Sequence, residues 1–447
     1  MKKEKNIILF VMNLPEGADT IKAVREYEKE FGGPLRMMLL VDSRVRNTRF
    51  LTETPGLDIY KSCDFSNPDK IAEVLLEYED ELLAVTCRSE KHIRRFMQVI
   101  PHVPYLRTPN TESLEWASDK YEMRKRLQTY DAKITPAFTW VKNNTKVERD
   151  RVVKKIGFPM IVKPANLAAS LFVTICYHEE ELDKTLRTIF RKIKKAYETE
   201  NSKALPKVVA EEYMEGDMYS IDSYVSSRGK VYHCPLVRQK TGREIGHDDF
   251  FNYLQMTPTA LKSETVKKAE AAAEKAIHAL GLRSTTAHVE LMKIDDEWKI
   301  VEVGARVGGF RNVLHKLSCD INHTLNDILI RIPKKPVVPK KCQGFACAMK
   351  WFAEKEGSIT ELKGVKKIEE LDSFHKIVVN KKVGDRAVFA RNGGRSVFNL
   401  LMYNADRSQL LADIRRVEKL VEIKVASRGN GNNGKKVAKK TIKTKKK

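Results

Sequence analysis

Apolar runs and amphipathic stretches alternate along the first quarter of the chain. "NIILFVMNL" (6–14) reads as a strand, residues 19–30 have helical spacing, and "LRMMLLVDS" (35–43) reads as a second strand. A helical stretch over 68–78, the strand "ELLAVTCRS" (81–89) and the helix "EKHIRRFMQVI" (90–100) follow. Such alternation predicts a parallel sheet wrapped by helices. The first strand is not followed by G-x-G-x-x-G, so this region need not bind a dinucleotide. Proline-rich "PHVPYLRTPNTES" (101–113) marks a boundary.

Beyond it the pattern is mixed. Short helices and strands such as "PMIVKP" (159–164) and "PKVVAEEYM" (206–214) precede a long helix over 263–280, and "RIPKKPVVPKKC" (331–342) closes the region. Residues 343–425 hold the strand-like runs "FACAMKWF", "FHKIVVN" and "RSVFNLLMYN", a Gly-Gly turn at 393–394 and a helix near 406–417. The expected organisation is therefore an α/β region (1–112), a central region (113–335), a small α+β region (336–426) and a tail (427–447). No repeat of fixed period is evident.

The stretch "HVELMKIDDEWKIVEVGARVGG" (288–309) contains two apolar strands around Asp-Asp-Glu, the punctuation of a tight hairpin. A turn centred on Asp296 sets Ile294 opposite Trp298, Met292 opposite Ile300 and Glu290 opposite Glu302. Two acids directly opposed across a sheet repel one another. A cation between them would turn that repulsion into a binding site.

Length and composition narrow the classes. At 447 residues and 42% hydrophobic content the chain is long and apolar enough to fill real cores. No run approaches the roughly 18 apolar residues of a membrane span, which predicts a cytoplasmic protein. The seven cysteines include no C-x-x-C and sit mostly in apolar runs, so buried free thiols in a reducing compartment are expected. Of the net charge of +23, nine positive charges fall in the last 21 residues, "SRGNGNNGKKVAKKTIKTKKK". This tail is expected to be disordered. Its cations suit non-specific contact with RNA or an anionic surface, with a solubilising role as the bland alternative.

Four stretches in fixed order, "SDKYEMRKRL" (118–127), "GFPMIVKPA" (157–165), "VVAEEYMEGDMYSID" (208–222) and the acidic hairpin, together resemble the ATP-grasp superfamily, in its carboxylate–amine (amino-acid) ligase and biotin carboxylase-like branch. The resemblance implies an N-terminal parallel α/β domain, a two-lobed grasp domain that binds ATP between its lobes, and a small C-terminal α+β domain. It implies that Lys120, at the start of a helix capped by Ser118, and Lys163, at a strand end, contact the α- and β-phosphates. Backbone groups of Glu212 and Met214 would read adenine, the Glu211 side chain would approach its amine, and Ile161 and Met214 would wall it. Ala169 and Ser170 fall in the loop over the phosphates, where relatives often carry glycines. Asp217 lies beside Met218, which stands where a ribose-binding acid is common.

By the same resemblance Glu290 and Glu302 are the ligands of Mg²⁺, with Mn²⁺ as a substitute. Arg306 stabilises the transferring phosphoryl group and Arg311 is a second anchor. Gly308-Gly309 would let backbone approach the ligand, and Gly304 replaces an often-found asparagine. Arg238, Lys240 and Arg243 are weaker substrate-side candidates, whereas His247 and His288 read as core or surface histidines. The implied activity is ATP-dependent joining of a carboxylate to an amine through an acyl-phosphate, producing ADP. The rival readings are a non-catalytic ATP-binding scaffold and an RNA- or ribosome-associated protein acting through its tail. Oligomeric state is left open.

Overall fold

The computed structural model describes residues 4–426 apart from 15–16, 46–54, 168–169, 200–205 and 333. The Lys-rich tail and Ala169 therefore lie outside the described residues.

The N-terminal apolar runs form a four-stranded, all-parallel sheet in the spatial order Ile59–Cys63, Arg36–Asp42, Ile7–Val11, Leu82–Thr86. Residues 7–11 and 37–42 are buried at every position, as expected of strands covered on both faces. The strand Ile59–Cys63 was not apparent in the sequence, because "IYKSC" is short and polar at its centre.

The next unit is a four-stranded antiparallel sheet in the order Phe138–Val141, Val208–Glu212, Met160–Pro164, Thr174–Cys176. A helix Glu179–Thr199 packs on it. Leu182, Leu186, Ile189 and Ile193 recur at three- and four-residue spacing and are buried with Val162, Val208 and Ala210.

The largest sheet has nine strands. Its edge is the acidic hairpin, Glu297–Gly304 and Thr285–Ile294, followed by Asp217–Val225, Val237–Thr241 and Asn252–Thr257, with Val231–His233 pairing on Asp217–Val225. It then continues without a break into Phe345–Trp351, Phe398–Asn404 and Phe374–Val379, with Leu254 opposite Met349 and Met349 opposite Leu400. The region 336–426 thus extends the central sheet and adds a separate three-stranded sheet of its own. Likewise, one buried cluster joins Ile7–Val11 to Tyr219, Val289, Ile300 and the helix Ser263–Ala279, so packing does not stop at residue 112.

Two local expectations are corrected. The helix Lys120–Tyr130 is capped by Asp119, whose carboxylate accepts from the amides of Tyr121 and Glu122; Ser118 instead bonds back to the Leu114 carbonyl, 2.8 Å, at the end of the preceding helix. Cys319 and Cys342 are joined in a disulfide, while the other five cysteines are free and buried. Proximity of Cys342 to Cys319 depends on the proline-rich return of the chain, which spacing alone does not reveal.

Candidate active site

The hairpin sets the geometry. Ile294 pairs with Glu297 around a two-residue turn, Asp295-Asp296, with Asp295 at φ 50°. That register is one residue tighter than a turn centred on Asp296 would give. Leu291 accordingly faces Ile300, yet Glu290 faces Glu302, because a bulge at Val301 restores the offset. Glu290 and Glu302 therefore share one face of the sheet.

Arg124 anchors the bulge. Its guanidinium donates to the carbonyls of both Ile300, 2.6 Å, and Val301, 2.8 Å. In a regular strand successive carbonyls point to opposite edges; here the bulge lets both meet one donor. The same side chain, fully buried, grips Glu211 through both carboxylate oxygens at 3.0 and 2.9 Å. Arg124 lies one helical turn after Lys120, so both project from one face of the helix Lys120–Tyr130.

Glu211 also pairs with Lys163, 2.8 Å away. Burial alone would raise the Glu211 pKa, but Arg124 and Lys163 overturn that and hold it down to about 2. The carboxylate is thus engaged by two cations, Arg124 and Lys163. For Lys163, burial dominates and lowers its pKa despite Glu211. Lys120 lies 3.0 Å from Glu302 and donates to the Leu167 carbonyl, also 3.0 Å. Burial opposes its charge, but Glu302, with Glu90 and Glu211, raises its pKa. Two buried ammonium groups are thus tied through Glu211 and Glu302 to the acidic pair of the hairpin.

The strand Val208–Glu212 lies inside its sheet, between Phe138–Val141 and Met160–Pro164. The Glu212 amide donates to the Ala137 carbonyl, 2.9 Å, and that of Tyr213 to Pro159, 3.2 Å, so the Glu212 N–H is not free to read a base. Ile161 faces Glu211 across the sheet and is half-buried, and Met214 is buried beyond the strand end. Asp217 is held by Arg238 at 2.7 Å, and Arg238 also pairs with Glu244 at 2.7 Å. Arg243 pairs with Asp248, 3.0 Å, and donates to the Tyr177 hydroxyl, 3.1 Å.

Behind Glu290 lies a buried polar layer. His288 sits between Asp222, 3.1 Å, and Glu290, 3.6 Å. Asp222 also accepts from the Gly308 amide at 2.7 Å and approaches Arg311 Nε at 3.2 Å. Arg311 is fully buried, bonded to Ser220 Oγ at 2.6 Å and to Gln255. A Cβ at Gly308 would fall 2.4 Å from the His288 ring, so this glycine serves close packing on the histidine rather than a free approach to a ligand. Burial would raise the Glu290 pKa, but His288, Arg306 and Arg311 lower it. Arg306 donates to Glu90 of the N-terminal sheet region at 2.6 Å and is further surrounded by the charges of Glu302 and Glu290, which raise its pKa against burial.

Comparison with known proteins bears directly on this arrangement. The family model of the ATP-grasp domain matches residues 156–313, which include Lys163, Glu211, Glu290, Glu302 and Arg306. Over those residues the chain is similar to the ATP-grasp domain. Alanine–anticapsin ligase of Bacillus subtilis (strain 168) is 26% identical over 305 residues, 61% of this chain and 62% of that protein. The chain therefore spans less than two thirds of the length of that relative. D-alanine–D-alanine ligase of Flavobacterium johnsoniae is 21% identical over 198 residues, 42% of this chain and 55% of that protein. Among solved structures, L-amino acid ligase from Bacillus licheniformis superposes with a TM-score of 0.71 at 17% identity, covering 96% of this chain and 100% of that one. The biotin carboxylase domain of Hydrogenobacter thermophilus 2-oxoglutarate carboxylase, in complex with MgADP, gives 0.63 at 14%, covering 93% and 90%. At these identities the structural likeness establishes the fold.

Other features of the candidate site follow from tertiary contacts. The loop after Lys163 lacks glycine, yet Ser170 and Phe172 take left-handed φ values of 59° and 61°. Its position is set partly by the Phe172 amide, which donates to the Arg391 carbonyl at 3.2 Å. A Cβ at Gly304 would lie 3.4 Å from a Glu90 carboxylate oxygen, an ordinary van der Waals contact, so packing does not require glycine there. Lys350, on the strand Phe345–Trp351, feels the charges of Arg311 and Glu290, and burial lowers its pKa. Neither Glu90 nor Lys350 was legible as a site residue, because each comes from outside the central region and carries no motif. The donor set fits a hard divalent ion: two in-register carboxylates, with the Lys120 ammonium beside Glu302.

Proposed function

We propose that the chain is an ATP-dependent carboxylate–amine ligase that acts through an acyl-phosphate, with amino acids as its substrate class. The observation that carries the reading is the in-register pair Glu290 and Glu302, with Lys120 at 3.0 Å from Glu302 and Lys163 paired to Glu211 nearby. The names of alanine–anticapsin ligase and L-amino acid ligase support the substrate class.

Glu290 and Glu302 would hold Mg²⁺ or Mn²⁺, which when bound neutralises charge on the terminal phosphates of ATP. Lys120 exchanges Glu302 for a phosphate oxygen, and Lys163 adds a second point charge. Glu211, clamped by Arg124, keeps Lys163 directed into the cleft. Adenine rests against Ile161 and Met214. The segment at Ser170 covers the phosphates, and Asp217 lies at the ribose side.

One oxygen of the substrate carboxylate attacks the γ-phosphorus, the bond to the bridging oxygen breaks, and ADP departs. Arg306 balances the charge on the transferring phosphoryl group. The amine then attacks the acyl carbon, loses a proton and expels phosphate. Arg311 and Lys350 flank the acyl-phosphate end, and the buried layer holds Glu290 in place.

The test is ADP release from the full chain with Mg²⁺ across pooled amino acids and other carboxylates and amines, followed by product mass. Release that depends on one acid and one amine, with a product lighter than their sum by one water, is expected. ATP binding without turnover under every pool would favour a nucleotide-binding scaffold instead.

A further inference from the structure

A second group of chemistry-bearing side chains shares no member with the nucleotide cleft. Cys234, His315 and His323 each offer one donor atom, and these atoms all lie within 4.8 Å of one another. All three residues are buried, with exposures of 2% or less. They arrive from separate elements: Cys234 follows the strand Val231–His233, His315 lies in the helix Arg311–Cys319, and His323 opens the helix His323–Leu329.

The hydrogen bonds define which nitrogens are inward. His315 Nδ1 faces His323 Nε2 at 2.8 Å; His315 Nε2 meets the Pro235 carbonyl at 3.0 Å, and His323 Nδ1 meets the Tyr224 hydroxyl at 2.7 Å. A carbonyl only accepts, so His315 carries its proton on Nε2 and has a lone pair on Nδ1. His323 then donates from Nε2 and accepts the Tyr224 O–H at Nδ1. Both rings are neutral, with inner nitrogens facing each other and outer nitrogens anchored by a carbonyl and a hydroxyl. Metal-binding histidines are held in this way.

We propose that Cys234, His315 and His323 form a binding site for a thiolate- and imidazole-preferring d¹⁰ cation, Zn²⁺ or Cu⁺, distinct from the ion of the nucleotide. One sulfur and two imidazoles select soft or borderline ions over Mg²⁺. At metal–nitrogen distances of ~2.0–2.1 Å the two inner nitrogens must part by about 0.5 Å, which a small rotation of either ring supplies.

The protons balance. The Cys234 thiol gives its proton to solvent and binds as thiolate. The His323 proton moves from Nε2 to Nδ1, where the Tyr224 oxygen accepts it. The Tyr224 O–H turns to the Cys234 sulfur, whose thiol already neighbours the Tyr224 oxygen. One proton is thus released per ion. Cu⁺ leaves the buried site neutral, whereas Zn²⁺ leaves one positive charge facing Asp222, whose charge acts on all three residues. Either ion would tie the segment at Cys234 to the helix that begins with Arg311.

The test is anaerobic titration of the full chain, without reductant, with Co²⁺ as the optical probe for Zn²⁺ and with Cu⁺ against a competing chelator. We expect one ion per chain at this site, one proton released, a near-ultraviolet thiolate-to-Co²⁺ band, and a rise in unfolding temperature. Cys234→Ser should remove the band and weaken binding at least about tenfold while retaining the far-ultraviolet spectrum. X-ray absorption on the unsubstituted protein should give one sulfur and two imidazoles, a readout independent of how the variant folds. Co²⁺ at Glu290 and Glu302 would bind through oxygen and give no such band. Oxygen-only coordination, or binding unaltered in Cys234→Ser, would overturn the proposal.

Discussion

Arg124 grips Glu211 by both carboxylate oxygens, at 3.0 and 2.9 Å, and with the same guanidinium reaches the carbonyls of Ile300 and Val301. One buried cation thereby joins the strand Val208–Glu212 to the bulge that aligns the two acids. Each partner explains the other: Glu211 offsets the burial of Arg124, and the bulge presents two carbonyls that an unbroken edge would turn apart.

Replacing Arg124 by Met keeps its approximate length and removes its charge and donors. Loss of one partner from a buried pair typically costs about 3–5 kcal/mol, and the remaining Lys163 contact places the expected loss at the low end of that range. Urea denaturation measures the stability, and nucleotide titration should find weaker ATP binding in the folded fraction. Unchanged stability would contradict the coupling.

Glu302→Gln preserves shape and removes one of the opposed charges. If the ligase reading holds, ADP release should fall on the order of 10²–10³-fold, as for loss of one preorganised electrostatic contact. The Mg²⁺ concentration for half-maximal rate should rise. A variant with unaltered metal dependence would remove Glu302 from the metal site.

The depressed pKa of Glu211 makes stability depend on pH. The unfolded chain takes up this proton near its ordinary carboxylate value, whereas the folded chain resists until about 2. The contribution is therefore complete above pH ~4.5 and is lost as pH falls toward 2. Between pH 5 and pH 3 it amounts to about 2 kcal/mol. Denaturant titrations at the two values should show a smaller acid-induced loss for Glu211→Gln than for the unsubstituted protein.

Lys350→Met tests the substrate side. Lys350 lies near Arg311 and Glu290 on a strand of the C-terminal region, away from the lysines assigned to phosphate. The expected outcome is a KM for the carboxylate raised about tenfold or more, with a much smaller change in the KM for ATP. Equal effects on both would argue against a substrate-side role.

The disulfide has a direct measurement. Under denaturing conditions without reductant, five thiols should react with a colorimetric reagent, and seven after reduction. Seven in both cases would leave Cys319 and Cys342 free.

Much of the fold is local in origin and was readable in the chain. Runs such as Ile7–Val11 and Arg36–Asp42 must be strands covered on both faces, and the residues 263–279 alternate small apolar and charged positions at helical spacing. The opposition of Glu290 and Glu302 was also readable, although through two compensating departures. The turn is one residue tighter than expected, and the Val301 bulge returns the register. Alternation alone reports which face a side chain takes, not where a strand inserts an extra residue.

Other features have no local signature. The Glu211 carboxylate gave no sign that two cations from separate elements would claim it, and Arg124 read as one more basic residue on a charged helix. Glu90 reaches Arg306 over a separation of 216 residues, and the sheet crosses residue 336 because Leu254 finds Met349. By itself, then, the sequence determined most of the strands and helices and the shared face of the two acids, since these depend on periodicities of two and 3.6 that neighbouring residues enforce. Only the tertiary structure decided which charges neutralise which, where sheets merge and which cysteines meet. Those outcomes depend on desolvation and on distances between segments remote in the chain, and no short window of residues encodes either.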